Sequence, residues 1–228
     1  KKTPKKITIL GSTGSVGKST VDIISRCPDL FNVVALTANQ NVSLLADQAK
    51  KLNPEYAVIA DNSKYLELKQ LLSGTDIEVA SGTEALIDAA ERNSDLTMAS
   101  IVGVAGLLPT LASIKSGKVI GLANKECLVS AGEIFIKELA KKGAKIIPVD
   151  SEHNAIFQVF DTSQKNSVRR IILTASGGPF HKFTKHQMEN VTREQAINHP
   201  NWNMGPKISI DSATMMNKGL EVIEAYHL

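Results

Sequence analysis

KITILGSTGSVGKST, residues 6–20, joins an apolar run to a helix start through Gly11, Gly14 and Gly17. The spacing is G-x-x-G-x-x-G, a variant of the dinucleotide-binding fingerprint. Glycines let the backbone turn sharply and approach a phosphate, and the helix start supplies N–H groups and a positive dipole end. The same letters come close to a P-loop. STGSVGKS, residues 12–19, would complete G-x-x-x-x-G-K-S if Ser12 were glycine, with Lys18 on phosphates and Ser19 on magnesium. That glycine is missing, Pro148 interrupts the strand that would carry the downstream acid, and Gly11 follows the first strand directly. The dinucleotide phase fits better, with a phosphotransferase as its rival.

Outward from this loop, apolar runs and amphipathic runs alternate. Strands are predicted over 6–10, 32–37, 56–60, 77–80, 96–102, 119–123 and 145–149. Helices are predicted over 16–26, 42–52, 63–72, 83–92, 107–116 and 127–142. Near-continuous apolar strands between amphipathic helices imply a parallel sheet covered on both faces. Residues 1–150 are thus expected to form an α/β, doubly wound, mostly parallel Rossmann-like domain. After residue 150 the pattern changes. A helix over 151–160, a polar break at 161–167, a strand over 168–175, a Gly-Pro turn at 176–180, a polar loop at 198–206, a strand over 207–211 and a helix from about Asn217 predict an α+β domain over 151–228.

Composition narrows the function classes. The chain has 228 residues, 43% hydrophobic and 21% charged, an ordinary globular balance. A net charge of +3, partly from lysines at the N-terminus, and 4% aromatic residues argue against a nucleic-acid partner. Cys27 and Cys127 lack metal-ligand spacing and are expected to be reduced thiols. No apolar run approaches a membrane span. The opening KKTPKKITIL leads straight into a strand, so no signal peptide is expected. A cytoplasmic, bacterial-type setting is expected, or a plastid if a transit peptide was removed.

KIIPVDSEH, residues 145–153, ends a core strand in Asp150 and Glu152. Carboxylates are costly to desolvate unless paired. Open α/β sheets place ligands at the C-terminal ends of their strands. MMNKGLEVIEA, residues 215–225, adds Glu221 and Glu224 on a helix. Converging carboxylates repel unless a cation neutralises them, and an all-oxygen set suits Mg²⁺ or Mn²⁺ rather than Zn²⁺. The competing reading is a group of solvated surface acids, and spacing does not separate the two. His153 reads as a capping or structural histidine, Glu224 as supporting or solvated, and Met215 and Met216 as core filler. SGGPF, residues 176–180, exposes backbone N–H groups beside Ser176, as an anion nest or a simple turn. Trp202 stands in a loop rich in Asn, Pro and Gly, which suits a lid. Lys218, near a helix N-terminus, suits a phosphate.

GSTGSVG (11–17), GLANKE (121–126), PVDSEH (148–153), SGGPF (176–180), HPNWNMG (199–205) and DSATMMNKGLEVIEA (211–225) together resemble the 1-deoxy-D-xylulose 5-phosphate reductoisomerase family. The resemblance spans essentially the whole chain. It implies an NADPH- and divalent-metal-dependent enzyme of the non-mevalonate isoprenoid route, acting on a phosphosugar, with no nucleic-acid or membrane partner and in homodimeric form. It implies cofactor contacts at Thr13, Gly14, Ser15, Val16, Asn124, Glu126 and Gly205, with the stretch Asn39, Gln40 and Asn41 at the 2′-phosphate. It implies Mg²⁺ or Mn²⁺ on Asp150, Glu152 and Glu221. Substrate contacts are implied for Lys125, Ser151, Glu152, Ser176, His199, Ser212, Asn217, Lys218 and Glu221. The phosphate falls to Ser176, Ser212, Asn217 and Lys218, and a flexible lid to Trp202 and Met204. Lys125, Asp150, Glu152, Glu221 and His199 are the implied catalytic set.

Two departures stand out. After the second strand the family often shows Gly and then a basic or small residue, where this chain has Asn39 and Gln40. The segment TANQN, residues 37–41, carries no acid, which permits a 2′-phosphate, and neither Arg nor Lys to grip it. Family members are also longer, with a C-terminal helical domain, so the chain is expected to be a fragment.

Overall fold

The computed structural model describes residues 3–116, 118–199 and 204–228, with the backbone alone at Lys165. The chain forms two compact units, Lys1–Asp150 and Ser151–Leu228. Among the described residues no helix is long and apolar enough to cross a membrane.

The first unit alternates strand and helix. Its strands are β1 (Lys5–Leu10), β2 (Phe31–Ala38), β3 (Tyr56–Ile59), β4 (Glu78–Ser81), β5 (Leu96–Ala99), β6 (Val119–Leu122) and β7 (Lys145–Pro148). Its helices are α1 (Ser15–Arg26), α2 (Val42–Leu52), α3 (Tyr65–Leu71), α4 (Gly82–Glu91), α5 (Leu107–Ser113) and α6 (Lys125–Lys142). The seven strands lie in the order β4-β3-β2-β1-β5-β6-β7, and every pairing is parallel. The winding reverses between β1 and β5. All strand C-termini share one edge, so the ends of β1, β2, β5, β6 and β7 face the same side.

Burial explains the near-continuous apolar strands. Both faces of the sheet are covered, so Ile7, Thr8, Ile9 and Leu10 of β1 are all buried. One core gathers Ile7, Ile9, Leu36 and Ile59 with Leu45, Ala49 and Leu68 of the helices. Another gathers Ile120 and Leu122 with Leu128, Phe135 and Leu139 of α6. Helix α1 buries Gly17, Thr20, Val21 and Ile24, a stripe at helical period. The Asn41 side chain caps α2 by accepting from Leu44 N, and Asn53 in the left-handed region ends it. Helix α6 breaks at Ala131 (φ −146°, ψ 29°) and stops at Gly143.

The second unit holds α7 (Ser151–Val159), α8 (Lys185–Met188), α9 (Arg193–Ile197), α10 (Pro206–Ala213) and α11 (Met216–His227). Two sequence expectations are corrected here. Residues 207–211, predicted as a strand, lie inside α10. Alternating Ile208 and Ile210 mimic a strand, but Gly205 in extended conformation and Pro206 in the first turn start a helix. A Lys207–Asp211 ion pair one turn apart, at 2.6 Å, supports it. Residues 168–175 form no strand either, and Ile171 and Ile172 are exposed. A strand needs a ladder partner, and among the described residues of 151–228 no strand is formed, so the expected α+β pattern is replaced there by helices and loops.

Phe135 is fully buried in the α6 core. Phe135→Ala is expected to cost about 3–5 kcal/mol through lost transfer energy and a residual cavity. Urea unfolding would read this as a lower midpoint at unchanged slope.

Candidate functional site

The glycine loop sits where the winding reverses. Gly11 has φ 85°, and a Cβ there would lie 2.9 Å from the Ser100 carbonyl oxygen. The Ser100 hydroxyl donates to Leu10 O at 2.7 Å, tying the end of β5 to the loop. Gly11 N donates to Thr37 Oγ1 at 2.9 Å, and Ser12 N donates to Thr37 O at 2.8 Å. The Ser12 hydroxyl donates to Gln48 Oε1 at 2.7 Å, and Gln48 Nε2 donates to Ser12 O at 3.0 Å. Ser12 is fully buried. Its side chain is used inward, so the loop is not a P-loop with one glycine lost. Helix α1 begins after Gly14, in extended conformation and without a side-chain cap. Its first-turn N–H groups, at Ser15, Val16 and Gly17, form the kind of anion seat a helix start provides. Thr13 completes the loop.

The neighbouring strand ends carry the other expected residues of this unit. Asn39, Gln40 and Asn41 follow β2 and are exposed. Hydrogen bonds from the Ser63 side chain and backbone hold the Asp61 carboxyl below its ordinary range, with a smaller contribution from Gln40. Asn124 is buried and donates from Nδ2 to Ile101 O at 2.5 Å and to Gly103 O at 2.8 Å. It closes the β5–α5 loop. Lys125 and Glu126 open α6. The Lys125 ammonium lies 2.6 Å from Asp150 Oδ2, and both side chains are nearly buried.

In the second unit the expected residues fall into two groups. Glu152 lies in the first turn of α7, and Glu221 on α11 is fully buried. Lys218 Nζ stands 3.4 Å from Glu152 Oε1 and also contacts Glu221 Oε2. Asn217 Nδ2 donates to Glu221 Oε1 at 2.5 Å. Two carboxylates from separate helices thus meet around one cation, and Asp150 precedes Glu152 by two residues in the chain. The second group is Ser176, His199 and Ser212. Ser176 Oγ lies 3.2 Å from His199 Nε2 and 3.2 Å from Ser212 Oγ, and accepts from Gly178 N at 3.2 Å. Gly177 and Gly178 both have positive φ, and a Cβ on Gly178 would lie 2.6 Å from Ser212 O. Two hydroxyls and an imidazole from three segments make a donor set suited to an anion. Ser151 is exposed, Gly205 N-caps α10, and Met204 is half-buried. The expected lid residue Trp202 lies outside the described residues.

Three lesser expectations are refined. Glu224 is fully buried rather than solvated. His153 Nδ1 lies 2.9 Å from Glu224 Oε2, and its Nε2 lies 3.0 Å from Glu221 O. His153 therefore bears on the main chain of Glu221 and is structural. Met215 and Met216 are 47% and 55% exposed, not core filler, and Met215 adopts φ 61° to start α11. Thr37, Gln48 and Ser100, which shape the glycine loop, were absent from the sequence expectations. Gln48 left a trace there: it is a polar residue within the apolar stripe of Val42, Leu45, Ala46 and Ala49.

Comparison with known proteins gives the family. The family model for 1-deoxy-D-xylulose 5-phosphate reductoisomerase matches residues 7–132, and that for the C-terminal domain of the same enzyme matches residues 146–228. The reductoisomerase of Zymomonas mobilis is 57% identical over 225 residues, covering 99% of this chain and 58% of that protein. That of Rhodospirillum centenum is 54% identical over 224 residues, covering 98% of this chain and 56% of its own length. The solved Zymomonas mobilis enzyme in complex with NADPH superposes with a TM-score of 0.92 at 55% identity, over 98% of this chain and 58% of that one. A solved reductoisomerase in complex with NADPH, fosmidomycin and magnesium gives 0.91 at 45% identity, over 98% and 58%. The chain thus spans somewhat more than half the length of these relatives.

The glycine loop yields a direct test. A Cβ on Gly17 would collide with the Gly11 carbonyl and come within 2.6 Å of Ser12 Cα. Backbone cannot swing aside as a side chain can, so Gly17→Ala is expected to destabilise the first unit by at least about 1–3 kcal/mol. A thermal melt of the variant should show a correspondingly lower midpoint.

Proposed function

Because this chain belongs to the 1-deoxy-D-xylulose 5-phosphate reductoisomerase family, we propose that the protein containing it converts 1-deoxy-D-xylulose 5-phosphate to 2-C-methyl-D-erythritol 4-phosphate with NADPH and a divalent cation. The observation that carries this reading is the meeting of Glu152 and Glu221 around one ammonium. Side chains that converge on one cation are suited to hold another.

The residues fit both groups. Asp150, Glu152 and Glu221 would supply an all-oxygen set of the kind Mg²⁺ or Mn²⁺ takes. The collisions a Cβ would make at Gly11 and Gly17, with Ser100 and with the Gly11–Ser12 backbone, mark the tight turn and the close helix–strand packing that a dinucleotide-binding loop uses. NADPH would lie along Thr13, Gly14, Ser15 and Val16, with Asn39, Gln40 and Asn41 at its ribose phosphate and Asn124, Glu126 and Gly205 completing its contacts. When bound, the metal supplies Lewis acidity for a carbonyl and a neighbouring hydroxyl, and NADPH supplies the hydride.

The chain's own groups position and neutralise. Asn217 donates to Glu221 and so sets the direction of its carboxylate. His153 holds the Glu221 main chain from the other side. Ser176 and Ser212, with Asn217 and Lys218, receive the substrate phosphate, and His199 and Ser151 add contacts. Binding that remote phosphate helps fix the reacting end. Lys125 offers a nearly buried positive charge to a developing oxyanion, where low water content strengthens it. Asn124 keeps the β5–α5 loop closed beside the cofactor. The reading includes a homodimer, checked by sedimentation of the full-length protein, and a cytoplasmic setting, in keeping with its bacterial relatives.

The test is NADPH oxidation by the full-length protein with 1-deoxy-D-xylulose 5-phosphate, with and without Mg²⁺. Absorbance should fall only when substrate and metal are both present, and no oxidation with all components present overturns the reading. Glu221→Gln keeps the shape but removes the charge. It is expected to weaken Mg²⁺ binding by more than about tenfold and turnover with it, in a protein that still melts cooperatively but at a lower midpoint, because the buried pair with Lys218 is broken.

A further inference from the structure

We propose that Gln48 is the positioning residue of the cofactor loop, acting by turning one peptide group. This rests on the NADPH reading above. Gln48 lies mid-helix on α2, 5% exposed, among the apolar side chains of that helix's inner face. A buried amide is costly unless its donor and its acceptor are both satisfied. Here one residue satisfies both: Oε1 accepts from the Ser12 hydroxyl at 2.7 Å, and Nε2 donates to the Ser12 carbonyl at 3.0 Å.

The second bond has a geometric consequence. A trans peptide is planar, so its C=O and N–H point in opposite directions. Gln48 draws the Ser12 carbonyl inward, toward the core. The N–H on the same peptide plane belongs to Thr13, and it must point the other way, out of the loop. Thr13 is the first residue expected to meet the cofactor. The upstream half of the loop is fixed independently, because Gly11 N and Ser12 N both donate to Thr37. The grip on the Ser12 carbonyl is what orients the downstream half.

The same helix begins at its Asn41 cap, directly after Asn39 and Gln40. Gln48 lies two turns further along. One rigid helix therefore joins the loop expected at the diphosphate to the corner expected at the ribose phosphate, and Gln48 is the tie.

Three variants of the full-length protein test this by NADPH fluorescence titration, with steady-state turnover giving the KM for the phosphosugar alongside it. Gln48→Met keeps the volume and removes both bonds. Gln48→Glu, titrated at alkaline as well as neutral pH, can still accept from the Ser12 hydroxyl but has no donor for the carbonyl where its carboxyl is ionised. Ser12→Ala removes the hydroxyl and keeps the carbonyl grip. NADPH affinity should fall at least about tenfold in both Gln48 variants and less than about threefold in Ser12→Ala, with the KM for the phosphosugar held within about twofold throughout, against a bond to a neutral amide being a modest term. If Gln48→Met does not fold, Gln48→Glu decides by the same titration. Unchanged NADPH affinity in a folded Gln48 variant, or equal loss for NADPH and phosphosugar, overturns the proposal while leaving the enzyme reading intact. A wild-type protein that binds no NADPH overturns both.

Discussion

Residue 17 has no room for a side chain, because the Gly11 carbonyl and the Ser12 backbone occupy the place a Cβ would take. Much of the first unit follows from that closeness. The helix must start immediately after the loop, so α1 presses its N-terminus against the end of β1. The loop must be held from several sides, since glycines alone are loose. Thr37 from β2, Ser100 beyond β5 and Gln48 from α2 each supply a hydrogen bond. These contacts come from both halves of the sheet and meet where its winding reverses.

Charge is arranged by the same economy of space. Buried ion pairs seldom add stability over well-packed apolar groups, while breaking one is expensive. Yet the molecule keeps Lys125 with Asp150, Lys218 with Glu152 and Glu221, and His153 with Glu224. These groups lie in the stretches 124–126, 150–153 and 217–224, where the sequence reading expects function. Several other carboxylates that pair with lysines are more exposed, as Asp95 is with Lys118, and such pairs contribute little. Desolvated charge is thus concentrated where chemistry calls for it.

What the sequence disclosed and what it hid divide along the range of the interactions. Strands covered on both faces read as unbroken apolar runs, so β1, β2 and β3 stood out at once. Helix ends marked by a cap were legible, as α2 is after Asn41 and α6 is before Gly143, whereas α5 ends at Ser113 rather than 116. Residues 207–211 misled because alternation is a statement about faces, and a Gly-Pro start overrides it. Residues 168–175 had strand-like letters but no neighbour to pair with. Glu224 could not be told from a solvated acid, since its partner His153 is distant in sequence. Gln48 was hidden for a related reason: a lone amide in an apolar stripe announces a buried partner without saying which one.

The sheet's two borders end differently from its middle, with a bearing on how the chain survives synthesis. β7 is a margin strand, and its last residue, Pro148, has no amide hydrogen to offer a newcomer. At the opposite margin β4 carries the exposed Glu78, bridged to Arg92 at 2.6 Å. Neither rim makes a good template for an incoming strand. A parallel sheet of seven strands assembles slowly from distant pieces, and blunted rims keep half-made copies from zipping onto one another while the rest of the polypeptide arrives.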